Sequence, residues 1–292
     1  MSISVGIGLA FIAMLCWGFG DFLIQKSARK VGDIEALFFV SLFGVVVLLP
    51  FVWKSVYPLI FGSYDVLLIL LVASIVLLLA ALFDFEALRV GKLSIIEPIW
   101  SFEVPMAAIL AFVILGERIT WVQILLIILL IIFLVLVGFK EKKFDKKFFM
   151  ERGVIIAIFG AIFMGGANFF MGWGGRVTDP LMINFVTDVF ITFVTFIILI
   201  INGKLTKTFR DVKHNYSVLL PMSISDEVAW IAFVFAMTLA PIAVATALSE
   251  SYIIVAVLLG LFINKEKLQN HQKVGLVGAI VVALTLATLT SL

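Results

Sequence analysis

Apolar runs of about 20 residues recur along this chain from one end to the other, and they leave it few ways to fold. Each run is long enough to cross roughly 30 Å of hydrocarbon as a helix. Lipid offers the backbone no hydrogen-bond partner, so an open sheet is excluded. A barrel would show alternation instead of solid apolar blocks. Ten spans are expected, at about 5–25, 34–53, 66–88, 93–115, 119–139, 153–174, 181–202, 218–239, 242–263 and 273–291. Only 14% of the 292 residues are charged, against about 25% in a soluble domain. The expected class is therefore an all-α integral membrane protein with ten transmembrane helices. The connections are too short for a soluble domain. The first span lacks a basic leader and a clear small-residue cleavage site, so it reads as a retained helix.

Several chemistries find no support in the sequence. The single Cys16 allows no disulfide within the chain and no metal-type cysteine cluster. Both histidines, His214 and His271, fall in expected loops. No phosphate-binding glycine loop, HExxH or GxSxG is present. Neither an enzyme, a cofactor nor a metal site is expected.

The chain is written twice. "AFIAMLCWGFGDFLIQKSAR" (Ala10–Arg29) aligns with "AIFGAIFMGGANFFMGWGGR" (Ala157–Arg176) at an offset of 147, pairing Gly18 with Gly165, Asp21 with Asn168 and Arg29 with Arg176. "LGERITWVQ" (Leu115–Gln123) aligns with "NKEKLQNHQ" (Asn264–Gln272) at an offset of 149, pairing Glu117 with Glu266 and Gln123 with Gln272. The expected division is a five-helix repeat at 1–139, a basic linker at 140–152 and a second repeat at 153–292.

Five spans per half is odd, so the halves must enter the membrane in opposite directions. Lys and Arg counts test this without the alignment. Successive connections carry 3, 1, 2, 1, 6, 1, 4, 0 and 3, the last counting Lys273 at the first position of the tenth span. Alternate connections share a side, so one side carries 18 and the other 3. The basic side is assigned to the cytoplasm, with the central linker there and both termini outside. The bias is in antiphase between the halves, as an inverted-topology repeat requires. The net charge of +2 thus resides in cytoplasmic loops and needs no nucleic-acid partner. The linker is expected to lie against anionic headgroups of the bilayer.

The residues now resemble the drug/metabolite transporter superfamily, specifically its ten-helix EamA-type members. "CWGFGDF" (Cys16–Phe22) is similar to that family's Trp-Gly opening, and "LGERIT" (Leu115–Thr120) to its Gly-Glu-Arg ending of the fourth span. "NKEKL" (Asn264–Leu268) is a weaker copy of that ending after the ninth. The resemblance covers the whole chain and implies export of a small organic solute, without naming it. The family is usually drawn with both termini in the cytoplasm, the opposite of the charge count here.

The chemistry lies in the acids. Asp21, Asp84, Glu86, Glu97, Glu103, Asp188, Asp226, Glu227 and Glu250 fall inside spans that hold no Lys or Arg of comparable depth. Each costs roughly 3 kcal/mol if ionised and facing lipid, so they must face water, carry protons or lie near span ends. Glu86, three residues before Arg89, reads as an interfacial ion pair, and Asp188 as a residue near a span end. Glu117 and Glu266, beside Arg118 and Lys267, read as helix-end anchors. Glu97, Trp100 and Glu103 share a stripe about 120° wide at helical spacing. Asp226 and Trp230 share a face in the eighth span, and Glu250 clusters with Thr246 and Ser249 in the ninth. Gly18, Gly20, Gly165 and Gly166 interrupt the first and sixth spans at matching places, as hinges or close-packing sites.

These features support a secondary transporter in which the two halves rock around one central site. The substrate-binding candidates are Trp17, Asp21, Glu97, Trp100, Glu103, Asn168, Asp226, Trp230 and Glu250. Aromatic faces beside carboxylates suit an amine, amino acid or cationic metabolite. Glu103 and Glu250, deepest in their spans, are the expected proton-coupling groups. The cavity is expected from spans 1, 3, 4, 6, 8 and 9, with spans 5 and 10 at the periphery. The rival readings are facilitated diffusion of a neutral metabolite and a non-transporting assembly partner.

Overall fold

The computed structural model describes residues 2–91, 96, 99–138, 152–262 and 268–291. Among them every regular element is helical. The helices are α1 (Ile3–Val31), α2 (Asp33–Ile60), α3 (Tyr64–Val90), α4 (Glu103–Leu115), α5 (Trp121–Gly138), α6 (Arg152–Val177), α7 (Pro180–Ile201), α8 (Leu205–Leu239), α9 (Ile242–Ser249), α10 (Tyr252–Phe262) and α11 (Asn270–Ser291). Among the described residues nine stretches are long and apolar enough to cross a membrane, and the shorter α4 supplies the core of the remaining expected span, the fourth. Large apolar side chains such as Phe51, Phe112, Val113 and Leu284 stand exposed on the outer surface of the bundle. That is the expected surface of a protein solvated by lipid.

Two spans depart from continuous helix, and they do so at the same place. The fourth turns at Ser101–Phe102 before α4 begins, and the ninth turns at Glu250–Ser251 between α9 and α10. Adding the offset of 149 to 101 and 102 gives 250 and 251. In the first copy Pro105 explains the break. It has no N–H to give the Ser101 carbonyl, and its ring would crowd that carbonyl in a continuous helix. In the second copy Ser249 Oγ donates to Ala245 O at 2.7 Å and Ser251 Oγ to Ala247 O at 3.0 Å. Such back-bonding bends helices. The expected loops also shrink. α8 begins thirteen residues before the expected start of its span, so His214 lies on a helix rather than in a loop. His271 lies in the first turn of α11. Both misplacements arise because polar helix ends continue beyond the apolar segment.

The packing respects the repeat. α1 packs on α8 and α3 on α6, so the first span of each half meets the third of the other. α2 packs on α7, α4 on α9 and α5 on α11, each span meeting its own counterpart. Every pairing survives exchange of the halves. Specific contacts repeat as well. A side chain at Gly18 would overlap Val255, and one at Gly165 would overlap Met106; both members differ by the repeat offsets. Gln123 Oε1 accepts from Thr120 N at 2.8 Å while its Nε2 donates to Thr290 Oγ1 at 3.0 Å. Gln272 Oε1 accepts from Gln269 N at 3.1 Å while its Nε2 donates to Val137 O at 3.0 Å. Each glutamine caps its own helix and crosses to the partner helix.

Candidate functional site

Eight of the ten spans enclose one central cavity of about 90 Å³. Its wall carries seven carboxyl side chains: Asp21, Asp84, Glu103, Asp188, Asp226, Glu227 and Glu250. No Lys, Arg or His is among its described lining residues. The acids thus avoid lipid by converging on one polar space. Of the expected binding residues, Trp17, Asp21, Trp100, Glu103, Asn168, Asp226, Trp230 and Glu250 all line this cavity. Glu97 lies outside the described residues. Glu103 and Asn168 meet directly, with Nδ2 donating to Glu103 Oε2 at 3.0 Å between two buried side chains. Glu103 is the first residue of α4, so the break in the fourth span presents it beside the positive end of a helix.

Aromatic rings form one side of the wall. Trp17 and Trp230 meet edge to face with centroids 5.3 Å apart, and Phe233 lies 5.1 Å from Trp17. Asp226 lines the same cavity as Trp17 and Trp230, which puts an acid beside this aromatic group. Trp100 is packed over Gly160, where any side chain would strike the indole ring. α1 and α6 run as unbroken helices through all four candidate hinge glycines. Gly18 and Gly165 are points of close approach, Gly20 and Gly166 have looser surroundings, and the interruptions fall in spans 4 and 9 instead.

Spans 2 and 7 also line the cavity, contrary to the expected set of six. Leu37, Val40 and Ser41 face it from α2, and Asn184, Thr187 and Asp188 from α7. The triplets correspond residue for residue at the offset of 147. The signal was available in the sequence: polar residues at 184, 187 and 188 fall on one helical face. Asp188 is therefore a cavity residue and not a span-end residue. Spans 5 and 10 stay outside the site and pack on each other. The two halves contribute unequal walls. Leu37, Val40, Ser41, Leu77 and Ala81 of the first half face the cavity where Asn184, Thr187, Asp188, Asp226 and Trp230 stand in the second.

Outside the cavity, Glu86 pairs with Arg89 as expected and also with Arg152 Nη2 at 2.8 Å. Glu117 does not anchor through Arg118. Its Oε2 accepts from Arg176 Nη1 at 3.2 Å and its Oε1 from Ile242 N at 2.6 Å. Gly116, in the left-handed conformation at φ 64°, ends α4 and turns the chain so that this reach is possible. Glu266 lies outside the described residues. The arginines matched by the repeat do matched work. Arg29 Nη2 donates to Gly91 O at 2.8 Å, and Arg176 Nη2 to Ala240 O at 3.0 Å.

A family model of the EamA-like transporter family matches residues 4–139 and again residues 151–288. The chain belongs to the EamA-like transporter family. This EamA-like protein is a multi-pass membrane protein of a family that transports small solutes. A solved crystal structure shares its fold with a TM-score of 0.72, at 13% sequence identity, over 98% of this chain and 97% of that one. A search of curated proteins gives no match.

Proposed function

We propose that this EamA-like transporter exports a small organic cation, an amine, amino acid or cationic metabolite, by alternating access coupled to proton exchange. One observation carries the reading: seven carboxyls share a cavity whose described lining has no basic side chain. A positively charged ligand balances that charge, and the Trp17 and Trp230 rings offer it faces and edges beside Asp226. A neutral ligand would leave the acids to be neutralised by protons alone. In each cycle a proton takes the place of the departing cation, with Glu103 and Glu250 as the exchanging groups. Asp21, Trp100, Asn168, Asp226 and Trp230 complete the binding set. The halves divide at the 140–152 linker, which lies in the cytoplasm with both termini outside.

The experiment is flux into proteoliposomes with a panel of radiolabelled amines, amino acids and neutral metabolites. The expected result is saturable uptake of at least one cation, enhanced by a pH gradient of the exchanging sense. Uptake of a neutral metabolite without response to pH would establish facilitated diffusion in its place.

A further inference from the structure

We infer that Asp188 and Glu227 form a second proton site, a carboxyl pair that shares one proton and releases it when an ammonium group docks on Glu227. The inference rests on the proton-coupled reading above and adds to Glu103 and Glu250 a pair on other helices. Asp188 Oδ2 on α7 and Glu227 Oε2 on α8 lie 2.1 and 2.4 Å from the one point that a Cβ on Gly44 would occupy, so the two carboxyls stand side by side. Two buried carboxylates this close repel each other and offer only acceptors, and one proton shared between them relieves both. Both carboxyls close over Gly44 of α2, where a methyl group would overlap Asp188 Oδ2 and Glu227 Oε2 together. The repeat counterpart of Gly44 is Ile191, so only one half of the protein has room for this pair.

A second observation points to a ligand. Glu227 is 5% exposed, lines the cavity, and its Oε1 has no hydrogen-bond partner among the described residues. A buried carboxylate oxygen without a donor is destabilising. An ammonium N–H supplies that donor. Other charged groups set the pair's context. Asp226 on α8 acts on both members. Asp21 on α1, Asp84 on α3 and Glu250 act on Glu103. α2 presents Ser41 and Gly44, neither of which titrates. The exchange balances. With one proton the pair carries one negative charge; after docking, the O–H bond is broken, the proton passes to cavity water, and the two carboxylates hold one ammonium. The net charge of the site is the same before and after.

The test begins without a substrate. Purified protein is titrated with infrared detection of the carboxylic-acid C=O stretch. An amide at either position donates to the remaining carboxylate without a proton, so Asp188→Asn and Glu227→Gln should each lose one acid equivalent relative to wild type. Gly44→Ala keeps both carboxyls but separates them, and should move that equivalent by roughly one pH unit, a tenfold change in proton affinity. An unchanged acid band in all three variants overturns the shared proton. Proteoliposomes loaded with phenethylamine then test release. Wild type should show accumulation driven by the pH gradient, and Asp188→Asn and Glu227→Gln should lose about tenfold or more of it while keeping counterflow. Wild-type indifference to pH, with the band behaving as expected, would sink the coupled reading. Full gradient-driven accumulation in both variants would sink the release step alone.

Discussion

Glu103 is held by one neutral donor, the amide of Asn168, with both groups buried. Glu103→Gln removes the charge and keeps an oxygen for that donor. It should insert as well as wild type, lose about tenfold or more of gradient-driven flux, and keep exchange, which needs no net proton movement. Asn168→Ala leaves a buried carboxyl oxygen without its donor and should cost about 1–3 kcal/mol, read as a lower melting temperature in detergent. Glu86→Gln should change stability by only about 0–1 kcal/mol, since its partner Arg152 is 76% exposed. Acids such as Glu103, Asp226 and Glu250 were legible in the sequence because charge is so costly in lipid that each demanded a destination. Asp188 was misread because distance along a span stood in for direction, and direction is what places it on the cavity wall. The Asp188–Glu227 contact was not legible at all: it depends on the absence of a side chain at Gly44, on a third helix.

At the scale of elements, the spans themselves were written in hydropathy, while their ends and breaks were not. Pro105 hinted at the first break. The second copy has Ile254 at the corresponding position, so no residue type announced it. It follows from serine hydroxyls that divert carbonyls of the preceding turn. Pro105→Ala should let the fourth span continue as helix through Ser101, slowing amide exchange there and lowering flux; exchange as fast as in wild type would show that the break has another cause. The α5–α11 pair packs at the edge of the bundle, stapled by Gln123 and Gln272 at opposite ends. Gln123→Ala and Gln272→Ala should each cost about 1 kcal/mol of stability. Neither should alter substrate preference, because both residues lie off the cavity wall.

For the whole molecule, the basic residues carry the orientation. A reporter fused after residue 292 should read as extracytoplasmic and one within 140–152 as cytoplasmic; the reverse pair of signals would invert the assignment and leave the repeat intact. The duplicated architecture was legible because matched residues make matched contacts, down to the carbonyls received by Arg29 and Arg176. What the alignment alone could not convey is how unequal the two walls of the cavity have become. Were the walls identical, the inward-open and outward-open carrier would be one object viewed from opposite faces, with equal free energy. The replacement of Leu37, Val40 and Ser41 by Asn184, Thr187 and Asp188 lifts that degeneracy. On the alternating-access reading proposed above, the empty carrier is expected to rest on one preferred face, and every cycle must climb out of it.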